Sequence, residues 1–445
     1  MTELTYLLFL KMMKEQKRED GVIPEKSRWD SLAKREGVEQ LEHYRQLLLD
    51  LGKSKNKLVK DIYENASTTL KHPKTLGALV RHFDELEWYS ADRENLGDLY
   101  EGLLQKNANE VKSGAGQYFT PRPLVTAMVQ CLKPQPGELV QDPAAGTAGF
   151  LIEADRYIKS KTDNLFDLPA GKQDFQKKQA FYGMELVDET RRLALMNLLL
   201  HDIEGDLRAG DTLSPQGAEL SKTKADVILT NPPFGTKAGG GRPSREDFTF
   251  PTSNKQLAFI EHVYRALKPG GRAAVVVPDN VLFEDGVGRQ IRADLMDKCD
   301  LHTVLRLPTG IFYAQGVKTN VLFFTRGTTD KGNTKATWFF DMRANMPAFG
   351  KRTPFTLEHF AEFLKAYGED ANGKSKRKDQ GEEGRFRKFT REAIKERNDN
   401  LDVAWLKDES HTDADDLPEP EVVLAQIREK LEGALEAVKA LETSA

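Results

Sequence analysis

The sequence predicts an α/β protein: a mainly parallel sheet flanked by helices, preceded by an all-α region and followed by a helical tail. Three observations carry this. A short apolar run at 225–230 and an unbroken one at 273–277 suit strands buried on both faces, as parallel strands are. Residues 138–154 read as strand, acidic residue, Gly-rich turn and helix, the opening of a Rossmann-like βαβ unit. From the N-terminus to about Leu104, apolar residues recur only at helical spacing, as Leu41, Tyr44, Leu47 and Leu48 do, and then Leu58, Ile62, Leu76, Leu79, Val80 and Phe83.

Composition sets the outer bounds. A chain of 445 residues has room for two or three domains. Its 65 Lys and Arg against 69 Asp and Glu leave a net charge of −4, so any basic surface must be local. Two distant cysteines, Cys131 and Cys299, fit a reducing cytoplasm and form neither a disulfide framework nor a zinc site. The eight histidines are scattered, and no metal is expected. The apolar start, 4–13, is too short to span a bilayer and lacks a cleavage signal, so no membrane association is expected. The first helix begins abruptly at Leu4, as if an upstream part were supplied elsewhere.

Glycines at 114 and 116 break the helical pattern, and Gln117-Tyr118-Phe119-Thr120-Pro121-Arg122 follows, with Pro123 placed to open a helix through Leu124, Ala127, Met128 and Leu132. A linker would explain the glycines. The aromatic pair beside Thr and Arg suits a lid over a small ligand better. Next comes the strand 138–141 and the turn Asp142-Pro143-Ala144-Ala145-Gly146-Thr147-Ala148-Gly149. An Asp heading such a turn would repel a pyrophosphate but attract a cationic ligand; S-adenosylmethionine, with its sulfonium and amino groups, fits. A second strand, 180–184, ends at Glu185, whose carboxylate can accept both ribose hydroxyls. A surface Glu at a strand end is the plainer alternative. Asp188 is placed to cap the next helix, and Asp211, at a further turn, is either an acceptor for the cofactor's adenine amine or a solvated side chain.

The run 225–230 leads into Asn231-Pro232-Pro233-Phe234, at the strand edge where open α/β sheets bind ligands. An exocyclic amine on a nucleobase is a poor nucleophile because its lone pair is delocalised into the ring. An Asn carbonyl and a backbone carbonyl held by two prolines can accept both amine hydrogens and free that lone pair. Phe234 would stack on the base, which must first leave the duplex. A simple strand-ending turn is the alternative. For the Gly-rich loop 235–256 two readings stay open: contact of Lys237, Arg242 and Arg245 with DNA phosphates, or a loop with no partner. Residues 301–307 and 317–325 read as the last two strands. Beyond them, 369–388 reads as a loop with Lys374, Lys376, Arg377 and Lys378 exposed, and the seam Leu424, Ile427, Leu431, Ala434, Val438 and Leu441 marks a terminal helix. That seam suits packing on its own domain and docking on a partner helix equally.

With these residues in hand, the chain resembles the modification (M) subunits of type I restriction-modification systems, which are N6-adenine DNA methyltransferases. The resemblance covers nearly the whole chain. It rests on Leu8-Phe9-Leu10-Lys11, the segment from Gln117 to Arg122, the turn from Asp142 to Phe150, Glu185, and Asn231 to Phe234, in that order. It implies the S-adenosylmethionine-dependent methyltransferase fold, with a helical domain over 1–104, a catalytic domain over 105–345, and a charged segment with a helical tail for partner docking over 346–445. It implies that Gln117 to Arg122, Thr147 to Gly149 and Glu185 contact S-adenosylmethionine and that Asn231 to Phe234 hold a flipped adenine; the reading of the turns adds Asp142, Gly146 and Asp211 to the expected cofactor contacts. Relatives often carry Cys at the position of Ala145 and Gly at that of Ala148, small residues in either case, and they usually have more helix before Leu8.

No stretch outside the helical region and the sheet is long and apolar enough for a base-reading domain. Target choice is therefore expected from a separate specificity (S) subunit, and the resemblance implies DNA, a second copy of the M subunit and the restriction (R) subunit as further partners. Methylation of protein glutamine or ribosomal RNA, amino-methylation of cytosine, and a catalytically silent DNA-binding scaffold are the competing readings. Cytosine C5 methylation is disfavoured, since neither cysteine follows a proline.

Overall fold

The computed structural model describes residues 2–85, 120–234, 243–312, 318–347, 349 and 353–406. Gln117, Tyr118, Phe119, Lys237, Arg242 and the terminal seam from Leu424 to Leu441 lie outside them. Nine described strands form one sheet: β1 (Val140–Asp142), β2 (Phe181–Glu185), β3 (Asp206–Ala209), β4 (Ala225–Thr230), β5 (Leu267–Pro278), β6 (Cys299–Arg306), β7 (Thr319–Arg326), β8 (Ala336–Asp341) and β9 (Phe386–Thr390). Their order is β3-β2-β1-β4-β5-β7-β6-β8-β9.

The first five strands are parallel, which requires a crossover between each pair. Those crossovers are helices with a continuous buried face. Gly149–Lys161 and Asp188–Leu200 follow β1 and β2, and Lys255–Ala266 precedes β5. Because β2 and β3 lie on one side of β1, and β4 and β5 on the other, the strand order reverses between β1 and β4. Loops diverge at such a reversal and leave a crevice at the carboxyl ends. Strands β1 and β2 approach closely here: a Cβ on Gly183 would lie 2.2 Å from the Asp142 carbonyl oxygen, so only glycine fits.

The sheet does not end where the sequence reading ended it. Strand β7 lies antiparallel between β5 and β6, then β8 pairs parallel with β6, and β9 closes the edge antiparallel to β8. Within the presumed exposed loop, Arg377 is half-buried. Its guanidinium lies 4.9 Å from the Tyr367 ring centroid and donates to Thr303 Oγ1 at 2.9 Å.

The described N-terminal residues form five α-helices, as the apolar spacing predicts: Thr2–Glu15, Trp29–Ala33, Gly37–Leu51, Lys57–Tyr63 and Pro73–Glu85. They enclose Tyr6, Trp29, Tyr44 and Tyr63, all fully buried. Buried Lys11 and Trp29 both donate to Asp84 Oδ1, at 2.7 and 2.9 Å, which satisfies two polar groups inside this core. The bundle leans on the helix that follows β2. Arg18 donates to the Leu199 carbonyl at 2.6 Å, and Arg191 pairs with Asp61 at 3.2 Å. No described helix is long and apolar enough to cross a membrane.

Candidate active site

The turn after β1 is held from three sides. Asp142 Oδ1 accepts from the Ala144 amide at 3.0 Å and from the Thr230 hydroxyl of β4 at 2.7 Å. The Ala145 amide donates to the Met184 carbonyl of β2 at 3.0 Å, and Asn197 Nδ2 donates to the Thr147 carbonyl at 3.0 Å. Gly146 and Ala148 both take positive φ, +54° and +67°, the latter as the residue that starts the helix Gly149–Lys161. A left-handed alanine carries a strain that glycine does not.

Glu185, the last residue of β2, reaches across this turn. Its Oε2 accepts from the Gly146 amide and its Oε1 from the Val187 amide, both at 2.9 Å. The helix beyond begins at Asp188 with Val187 as its capping residue and no side-chain cap, so Asp188 supplies first-turn charge and not the cap expected of it. Burial raises the carboxyls of both Asp142, up to about 7, and Glu185, although each receives hydrogen bonds that favour the anion. Two neighbouring acids are thus kept in surroundings that ask for a partner of positive charge or hydroxyl donors. Asp211 Oδ1 accepts from its own turn, at Leu213 N, 2.8 Å away. The Thr212 hydroxyl ties that turn to the Pro143 carbonyl at 2.5 Å, so the tips of β1 and β3 are joined.

Asn231 follows Thr230 directly, one residue from the bond to Asp142. Its Nδ2 donates to Thr120 Oγ1 at 2.9 Å, bringing the end of the segment from Gln117 to Arg122 onto the tip of β4. Pro121 precedes the helix Arg122–Leu132 as its capping residue, and Arg122 opens it. The other Asn231 side-chain atom, Oδ1, is buried and has no hydrogen-bond partner among the described residues. Phe234 is buried edge-on against Phe312, with ring centroids 6.0 Å apart at 72°. Of the expected site residues that are described, the structure therefore gathers Thr120, Asp142, Gly146, Thr147, Ala148, Gly149, Glu185 and Asn231 to Phe234 at the tips of β1, β2 and β4. Asp211 stands beside them at the tip of β3.

Arg245 is a correction. Both readings of its loop, contact with DNA phosphates and a loop with no partner, leave this side chain in solvent, but it is 0% exposed. It donates to both Asp247 carboxylate oxygens at 2.6 and 2.7 Å, to the Thr212 carbonyl at 3.1 Å, and to His262 Nδ1 at 3.1 Å. Burial first, and then Arg245, pushes His262 down to about 3, so its neutral ring accepts that bond. With Ser244 N donating to the Leu213 carbonyl at 2.8 Å, the chain returning from the catalytic loop is stitched to the Asp211 turn. Phe312 and Gln256, whose Nε2 donates to the Pro233 carbonyl at 3.0 Å, were also missed; the capping Asn254 was the one local sign that this stretch is ordered.

Known proteins share the sequence and fold of this chain. The N-6 DNA Methylase family matches residues 91–415. The methylase subunit of the type I restriction enzyme StySPI from Salmonella potsdam is 55% identical over 99% of this chain and 90% of its own, and that of EcoKI from Escherichia coli (strain K12) gives the same figures. The crystal structure of the EcoKI M protein superimposes with a TM-score of 0.64 at 50% identity, covering 99% of this chain and 91% of that one. A chain from a study of complex assembly and conformational transition in the type I system gives 0.72 at 27% identity, covering 99% and 92%. From the order of its motifs, its sheet and these likenesses, the chain belongs to the N-6 DNA methylase family, as the adenine-N6 DNA methyltransferase subunit of a type I restriction-modification system.

Proposed function

We propose that Asn231 and Pro232 grip the amino group of an adenine everted from DNA, while Asp142, Glu185 and the segment from Gln117 to Arg122 hold S-adenosylmethionine beside it. One observation carries this reading: at the strand-order reversal, the buried Oδ1 of Asn231 has no hydrogen-bond partner among the described residues. An acceptor buried without a donor costs roughly 1–3 kcal/mol, a cost that an arriving N–H recovers. The Pro232 carbonyl likewise receives no hydrogen bond from the described residues, so two acceptors stand ready for the two amine hydrogens. Accepting both draws the nitrogen toward a pyramidal shape and frees its lone pair toward the neighbouring tips of β1 and β2. Phe234, fixed by Phe312, offers a ring to the base.

The donor set fits the cofactor. Carboxylates at three adjoining tips, Asp142, Glu185 and Asp211, suit an ammonium group, ribose hydroxyls and an adenine amine, with Thr147 to Gly149 forming the floor. S-adenosylmethionine, when bound, supplies an electrophilic methyl group on a sulfonium. Thr120, by its bond to Asn231, ties the cofactor-side segment to the acceptor that meets the base.

The proposed partners are DNA, a specificity subunit that chooses the sequence, a second M chain and the restriction subunit. We also place the end of the catalytic unit later than 345, since β9 reaches Thr390, and assign the helices up to Glu85 a separate docking and bracing role. To test the reading, the chain is assembled with its specificity subunit and given labelled S-adenosylmethionine and target duplex, and the digested DNA is examined by mass. N6-methyladenine is expected; N4-methylcytosine, or label found only in protein, would refute it.

A further inference from the structure

Pro233 separates the two parts of the target-base grip: the peptide before it carries the Pro232 carbonyl, and the one after it carries Phe234. Its ring fixes φ, but ψ is free to turn unless its own carbonyl is held. Gln256 holds it. Gln256 is 7% exposed, and its Nε2 donates to the Pro233 carbonyl at 3.0 Å from 23 residues further along the chain. The donor is itself fixed, because Asn254 Oδ1 accepts from the Gln256 and Leu257 amides at 3.0 and 3.2 Å, and Asn254 Nδ2 donates to Glu284 at 2.6 Å. With the Pro233 carbonyl engaged, the Pro232 carbonyl is the one left for an incoming amine.

We propose that Gln256 is a positioning residue for methyl transfer, which locks the second dihedral of Pro233 and so aims the Pro232 carbonyl and the Phe234 ring together. The inference rests on the reading of Asn231 and Pro232 as the amine's acceptors. Gln256 touches neither base nor cofactor in this arrangement; it acts through the proline. A loss of alignment of about 1 Å in such a grip costs on the order of 100-fold in rate.

The experiment uses the chain in complex with its specificity subunit, measuring single-turnover transfer at saturating S-adenosylmethionine and DNA. Gln256→Met keeps the length and removes the donor. It should slow transfer about 10–100-fold while the dissociation constants for S-adenosylmethionine and DNA stay within about two-fold. Gln256→Glu turns a carboxylate toward the carbonyl and should be equally slow at neutral pH. Acid would protonate it and restore an O–H donor, so its rate relative to the unmodified protein should climb as pH falls, a response that a merely structural role would not give. The charged groups adjoining this site are Lys255 on the same helix and Glu284 behind Asn254. Transfer within two-fold of normal in Gln256→Met overturns the inference; should that variant not fold, a Gln256→Glu profile parallel to the unmodified one does so alone. Asn231→Ala separates the two layers: if it stays active the acceptor reading itself fails, whereas if it is inactive beside an active Gln256→Met only the role of Gln256 is lost.

Discussion

Asp142 lies at the carboxyl end of β1 with only 1% of its surface exposed, and burial lifts its carboxyl to about 7, above the ordinary 3.8. In the free protein the group is therefore about half ionised at neutral pH. A cationic ligand at this tip selects the carboxylate. From pH 8 to pH 6 the ionised fraction falls from about 0.9 to about 0.1, so the dissociation constant for S-adenosylmethionine should rise roughly ten-fold. The sign for folding is opposite to that of a salt-bridged Asp. Here the folded state holds the proton longer than the unfolded chain, so the free protein loses stability as pH climbs from about 4 to 7, by roughly 4 kcal/mol from this group alone. The ligand's positive charge should return part of that, making its thermal stabilisation larger at pH 8 than at pH 6. Titration calorimetry and thermal unfolding at pH 6, 7 and 8 give both quantities. Asp142→Asn is the control, since its side-chain carbonyl can still accept from Thr230 and Ala144. Glu185, also raised by burial, contributes in the same direction, and Glu185→Gln measures its share. A flat pH profile, or an undiminished slope in Asp142→Asn, would refute the reasoning.

Three further outcomes are expected. Gly183→Ala places a Cβ 2.2 Å from the Asp142 carbonyl oxygen and should destabilise the fold by about 2–4 kcal/mol in denaturant titrations; an unchanged midpoint would mean that β1 and β2 do not approach so closely. Glu185→Ala deprives the Gly146 and Val187 amides of their acceptor and should weaken S-adenosylmethionine binding at least about ten-fold by calorimetry, with transfer at saturating cofactor far less affected; unchanged affinity would remove Glu185 from the cofactor site. Arg245→Met should cost about 2 kcal/mol of stability, at the low end for a broken buried pair because Asp247 is partly exposed. It should also leave the salt dependence of DNA binding unaltered; a slope shallower by about one would mean that the residue does meet a phosphate.

The site was legible where chemistry is local in sequence. Asp142, Glu185 and Asn231 each end an apolar strand, and parallel order alone brings such ends to one edge. The Gly-rich turn announces itself because Gly146 must take positive φ, although Ala148 does so without being glycine. What escaped was long-range. Arg245 sits amid Gly, Lys and Ser, so its neighbours suggested solvent; the groups that bury it, Thr212, Asp247, Ser221 and His262, come from three other parts of the fold as well as its own loop. Strand β9 lies at the sheet edge after a polar stretch that hides its register, and only Phe386 in it is fully buried, so it gave no unbroken apolar signal. Gln256 was invisible as a positioning group because its meaning lies in a carbonyl 23 residues away.

In the proposed mechanism the Asn231 side-chain oxygen acts on the target amine during transfer. The decisive measurement is single-turnover transfer by Asn231→Ala beside its affinity for S-adenosylmethionine. A rate lower by about 100–1,000-fold or more is expected, with cofactor affinity within a few-fold. Methylation at close to the unmodified rate would contradict it.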